Sequence, residues 1–198
     1  VSSLNSGSKW DASLDTITYS FNQSIPSSYY TYEENGDDTV LIKGWTPLND
    51  AQKDTTRDVF SKLETLIDVK FQEVSSDGMI ALNLVDMDPN TSGFSFYPGT
   101  DYSYQGDMFL STAFNTQSQN YGLTSGEYGH STIVHELGHA LGLKHPFEAS
   151  AEAPDTLPAD LDDINHSMMS YTSKNSYIPV LSFSGKTINM DYRDLQPD

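Results

Sequence analysis

Eleven residues, His135-Glu136-Leu137-Gly138-His139-Ala140-Leu141-Gly142-Leu143-Lys144-His145, constrain this chain more than any other stretch, and they hold three of its five histidines. They overlap the segment Ser131–Leu143, where Ile133, Val134, Leu137, Ala140 and Leu141 recur as a helical apolar stripe. Positions i and i+4 of a helix share a face, so His135 and His139 can offer ring nitrogens to one ion, with Glu136 on the adjoining flank. A helix continued to position 145 would turn His145 away. Gly142 removes that obstacle, because glycine adopts the left-handed conformation that ends a helix and turns the chain. His145 then comes back to the ion. Three neutral imidazoles leave a fourth tetrahedral position open, which is the coordination of a catalytic rather than a structural zinc ion.

Composition narrows the partners. With no cysteine among 198 residues, disulfides and thiolate-held zinc are excluded, and any metal is held by His, Asp, Glu or carbonyl oxygen. Ten Lys+Arg against 28 Asp+Glu give a formal charge of −18, which repels nucleic acid and anionic membrane surfaces. A 36% hydrophobic chain of this length builds one core, so residues 1–198 are expected to form a single domain. Apolar runs are only a few residues long, far below the roughly 20 of a membrane span, so no membrane insertion is expected. The chain begins at Val1 without an initiator Met and reads as a processed or excised segment of something longer.

Local patterns set the element order. The small polar stretch from Val1 to Gly7 reads as a loose lead-in. Ile17, Tyr19 and Phe21 alternate as in a half-buried strand, and the following segment, 23–44, reads as a loop excursion. Asn49 and Gln52 have capping-box spacing, and Val59, Phe60, Leu63, Leu66 and Ile67 extend a helix of roughly 18 residues. Strands are expected at 69–74, at 79–85 with Ile80, Leu82 and Leu84 on one side, and at 106–111. Residues 89–105 read as a loop and the chain beyond Pro146 as irregular. A strand, helix, strand, strand order implies an α+β or α/β layer.

The HExxHxxGxxH pattern resembles the zinc signature of the metzincin metallopeptidases. Downstream, Ser167-Met168-Met169-Ser170-Tyr171 is similar to the methionine turn of the serralysin family, and Pro146 after His145 also resembles serralysins. Weaker likenesses fall in the family's order: Lys9-Trp10, the Thr-Tyr-Ser-Phe strand, the long helix, Phe71-Gln72-Glu73-Val74 and Gly106-Asp107. Thr172 stands where serralysins often carry Trp, and the chain ends before the family's glycine-rich calcium repeats. The resemblance implies a mixed α/β, or α+β, domain: a twisted sheet with a long backing helix and a zinc helix, then a short irregular lower part. The upper subdomain would span about 1–142 and the lower 143–198.

It also implies roles. His135, His139 and His145 would hold one catalytic Zn2+, with Glu136 as general base. Tyr171 would ligate zinc in the resting enzyme and swing aside to stabilise the tetrahedral intermediate, while Met169 supports the ligands from below. The strand Gly106, Asp107, Met108, Phe109, Leu110 and Ser111 would be the edge that accepts an extended peptide by strand addition. Asp155, Asp160, Asp162 and Asp163 offer oxygens for Ca2+, but a charge run in a Pro-rich loop reads as solvated and carries no calcium assignment. His130 and His166 lie off the metal spacing and read as loop or packing residues. The expected protein is a secreted, monomeric zinc metalloendopeptidase acting on proteins or peptides. The alternatives are a processing protease domain within a large exported adhesin or toxin, and a zinc-binding interaction module without turnover.

Overall fold

The computed structural model describes residues 2–31, 41–99, 102–115 and 122–172. The fold is α+β. Five strands, β1 (Thr16–Phe21), β2 (Lys70–Glu73), β3 (Ile80–Val85), β4 (Gly93–Ser95) and β5 (Met108–Ser111), form one sheet in the order β2-β1-β3-β5-β4. All neighbours pair in parallel except β4, which runs antiparallel to β5 with Phe94 opposite Phe109. Helices α1 (Asp50–Leu63) and α2 (Tyr128–Ala140) cover one face.

Period-two alternation sorts the strand residues into two cores. Ile17, Tyr19, Phe21, Ile80, Leu82, Leu84, Met108 and Leu110 meet Val59 and Phe60 of α1 and Ile133, Leu137 and Ala140 of α2. On the opposite face Val85 and Phe109 pack with Tyr29, Leu41 and Tyr104. This second core explains why all six residues of β3 are buried, where alternation alone suggested one buried side. Tyr29 comes from a 3-10 turn, Ser27–Thr31, so this part of the segment read as a loop excursion is a lid over the sheet. Its hydroxyl donates to Asp107 at 2.7 Å and accepts from Asn83 at 2.9 Å, while Trp45 Nε1 donates to Asn83 at 3.1 Å. The buried polar atoms thus satisfy one another.

α1 opens as expected: Gln52 N–H donates to Asn49 Oδ1 at 3.0 Å and Asn49 N–H to Gln52 Oε1 at 2.7 Å, both halves of a capping box. It closes at Leu63, after 14 residues rather than about 18, leaving Leu66 78% exposed. Glu64 ends it, because its carboxylate accepts the Phe71 N–H at 2.6 Å and draws the chain toward β2.

Two expectations change with the sheet order. The strand expected at 106–111 is not an edge. Met108–Ser111 lies between β3 and β4 with every residue buried, so its backbone groups are already paired and cannot receive a peptide. Gly106 and Asp107 precede it: Gly106, at φ +75°, lets the Trp10 ring lie against its bare Cα, and Asp107 belongs to the buried polar network. Among the described residues the edge on that side is β4, inside the stretch read as a loop. The N-terminus is not loose either. Ser2–Leu4 form a 3-10 turn, Asn5 bridges to Leu143, and Trp10 Nε1 donates to Ala140 O at 3.0 Å. Trp10 thus satisfies a carbonyl that the end of α2 leaves without an intrahelical partner.

Candidate metal centre

α2 runs from Tyr128 to Ala140, starting and stopping three residues earlier than the apolar stripe suggested. Its end is a Schellman motif: Leu143 N–H donates to Gly138 O at 2.8 Å and Gly142 N–H to His139 O at 2.9 Å. Gly142 sits at φ +98°, and a Cβ there would lie 2.4 Å from Ser8 O. The turn therefore requires glycine twice over, by conformation and by space. Gly142 O in turn accepts from Ser6 Oγ at 2.7 Å, which pins the turn to the N-terminal segment.

The reversal brings His145 against the helix. Its Nε2 lies 3.1 Å from His135 Nε2 and 3.1 Å from His139 Nε2. Tetrahedral ligands at about 2.0–2.1 Å from a zinc ion stand about 3.3 Å apart, so the spacing fits one small cation. The other ring nitrogens agree. His135 Nδ1 is 2.7 Å from Met168 O and His139 Nδ1 is 2.7 Å from Leu143 O, which makes each Nδ1 a donor and leaves each Nε2 lone pair facing inward. His145 Nδ1 is 2.8 Å from Glu148 Oε1, a close approach off the N–H axis rather than an aligned hydrogen bond. Lone pairs converging at this distance repel unless a cation lies among them. His135, His139 and His145 can hold a metal ion. Burial lowers the proton affinity of His135 and brings His139 down to about 4, which keeps both rings neutral and ready to ligate.

Glu136 is 5% exposed and its Oε2 has no hydrogen-bond partner among the described residues. Burial pushes its carboxyl up to about 8, against a smaller opposite effect of the Ser95 hydroxyl. Tyr171 is 67% exposed, with its ring 4.4 Å from His145 and stacked 5.4 Å from His135, which places it beside the triad. Met169 is buried beneath α2.

Several contributors escape a reading of spacing. Gly138 fills a variable position of the motif, yet a Cβ there would lie 2.4 Å from Met169 Sδ, so its bare Cα makes room for the thioether. Tyr97 packs edge-on against His139 at 5.7 Å, and Phe147 stacks parallel on His145 at 5.1 Å. Lys144, 4% exposed, donates to the carbonyls of Glu148 and Asp155 and ties down the loop after His145. Two of the aspartates read as solvated are built in. Buried Asp163 accepts the Asn165 N–H at 2.9 Å, and Asp162 accepts the Ser170 hydroxyl at 2.6 Å, shaping the methionine turn. His166 pairs with Asp163 at 2.9 Å and lies outside the triad.

Comparison with known proteins agrees with this geometry. Residues 45–196 match the model of the peptidase family M43, described as pregnancy-associated plasma protein-A. Metallopeptidase AprA of Pseudomonas marginalis is 30% identical over 167 residues, covering 81% of this chain and 33% of that protein. Serralysin G of Dickeya chrysanthemi is 30% identical over 168 residues, covering 78% and 33%. Serralysin of Proteus mirabilis is 30% identical over 141 residues, covering 62% and 28%. The chain thus spans about a third of the length of these curated relatives. With the triad, the methionine turn and the sheet order on one frame, the chain belongs to the metallopeptidase family M43, whose model residues 45–196 match, and it is similar over most of its length to metzincin domains of the serralysin type.

Proposed function

We propose that this domain is a zinc-dependent endopeptidase, exported from the cell, that hydrolyses peptide bonds in proteins, with residues 1–198 working as one catalytic unit. The observation that carries the reading is the convergence of three inward-facing imidazole nitrogens beside a buried carboxylate on the same helix. The relatives are named metallopeptidases and serralysins, and no helix among the described residues is long and apolar enough to cross a membrane, which supports the reading.

His135, His139 and His145 would hold a zinc ion, which when bound would supply Lewis acidity toward water and the scissile carbonyl. The rest falls to the chain. Glu136 accepts the proton of the attacking water and returns it to the leaving amine. Tyr171, exposed beside the triad, donates its hydroxyl to the oxyanion that develops on the carbonyl. Met169 and Gly138 hold the floor of the site by close packing.

A carboxylate buried on the same helix beside three inward-facing imidazoles counts against the non-catalytic alternative, because a protein that only binds metal has no use for a base there. The deciding experiment measures casein hydrolysis by the domain with zinc, with a chelator, and with Glu136→Ala. Chelation is expected to abolish hydrolysis, and Glu136→Ala to slow it about 10²–10⁴-fold while zinc stays bound. Zinc-loaded protein inert on casein and on varied peptides would overturn the endopeptidase reading. A Glu136→Ala rate equal to the parent would overturn the role of the base.

A further inference from the structure

β4 is short, and its two faces differ in kind. Phe94 stacks on Phe109 at 4.9 Å and Phe96 meets it edge-on at 6.1 Å, both on the far side of the sheet. By alternation Gly93 and Ser95 face α2. Gly93 lies directly against the Glu136 side chain: a Cβ there would sit 2.8 Å from Glu136 Cγ and 3.1 Å from its Oε1. The edge strand thus leaves a gap that the carboxylate fills, with the hydroxyl of Ser95 two residues further along the same face.

That hydroxyl has no structural employment. Ser95 Oγ is buried within reach of the Glu136 carboxyl, on which its hydroxyl acts, and neither Ser95 Oγ nor Glu136 Oε2 has a hydrogen bond to any other group among the described residues. Alanine would fill position 95 equally well and carry no desolvation penalty. A serine hydroxyl rotates freely about its Cβ–Oγ bond, and an ionised carboxylate is an acceptor with several lone pairs, so the two groups are chemically matched.

We propose that Ser95 is a positioning residue for Glu136, its hydroxyl donating to the carboxylate and holding it in the orientation that reaches the substrate water. Ser95 touches no reacting atom and acts only through Glu136. This inference rests on Glu136 being the general base, and its test is arranged to separate the two.

The experiment compares parent, Ser95→Ala, Ser95→Thr and Glu136→Ala in zinc-loaded form on one peptide substrate, with zinc affinity measured by chelator competition. A hydrogen bond to a charged group corresponds to a loss of at least about 10-fold, so Ser95→Ala is expected to lower kcat by about that factor. KM and the zinc dissociation constant are expected to stay within about twofold, because the hydroxyl touches neither substrate nor the triad. Ser95→Thr, which keeps the hydroxyl, is expected to recover more than half of the lost kcat. In zinc-free protein, the shift in unfolding midpoint caused by Ser95→Ala is expected to disappear in the Glu136→Ala background. An unchanged kcat in Ser95→Ala, a parallel loss of zinc affinity, or equal midpoint shifts in the two backgrounds would each overturn the inference. If Glu136→Ala keeps the parent rate, the reading of the base fails instead.

Discussion

Replacing Gly142 by alanine probes the turn that makes the triad. Two costs can be worked out separately. The first is conformational: at φ +98° an L-residue loses about 1–2 kcal/mol relative to glycine. The second is steric. The new Cβ would lie 2.4 Å from Ser8 O, a backbone atom already held by the hydrogen bonds of Ser6 to Gly142 O, and relieving such overpacking costs about 1–3 kcal/mol. Together they reach about 2–5 kcal/mol, which lowers the unfolding midpoint by roughly 5–15 °C in a domain of this size.

Gly126 supplies the control, since its φ is +90° but nothing lies within 4 Å of an added Cβ. Gly126→Ala therefore carries only the conformational cost, and any entropic gain from removing glycine in the unfolded chain is common to both variants. Thermal unfolding of zinc-free protein should place Gly142→Ala below Gly126→Ala by about 1–3 kcal/mol. Zinc titration should show an affinity loss of at least about tenfold for Gly142→Ala, because relaxing the turn moves His145 off the triad, and none for Gly126→Ala. If the two variants have equal midpoints and equal zinc affinity, Gly142 is not the hinge that delivers the third ligand.

Two further outcomes follow from buried polar groups. Burial pushes Asp107 up to about 7, so the folded protein retains a proton that the unfolded chain gives up near its ordinary value of about 3.9. Stability should then fall as pH rises from about 4 to about 7, by up to roughly 4 kcal/mol, and level off above. Urea unfolding across that range should show Asp107→Asn losing much of the slope, and an unchanged slope would mean that Asp107 is not the group titrating. Trp10→Phe removes the bond from Nε1 to Ala140 O at the end of α2 and also the Cζ2 and Cη2 atoms that lie against Gly106. It should cost about 2–3 kcal/mol, the bond and the lost ring packing together, and lower the midpoint by about 4–12 °C, and an unchanged midpoint would show that neither contact holds the N-terminal segment to the end of α2.

What the sequence determined by itself was local. His135 and His139 share a helix face because of the 3.6-residue period. Asn49 and Gln52 cap α1 through atoms three residues apart, and Gly142 ends α2 because its φ is closed to other residues. Each is an interaction over a few residues, so its signature is contiguous. The convergence of His145 on the other two could be read for the same reason.

Tertiary structure decided the rest, above all which strand is an edge. Met108–Ser111 has the apolar run of a strand, but nothing in four residues says whether another strand lies beyond it. The strand that does lie beyond it, Gly93–Ser95, is three residues long and begins with glycine, a weak signal that pairing with β5 overrides. Gly138 under Met169, Gly93 under Glu136 and the N-terminal residues against Gly142 are likewise contacts between distant segments, where the informative property is the absence of a side chain. Local periodicity reports which face of an element is apolar. Only the packed chain reports what stands against that face, and here that distinction separates the residues that can hold the metal from those that pack against the Glu136 carboxylate beside it.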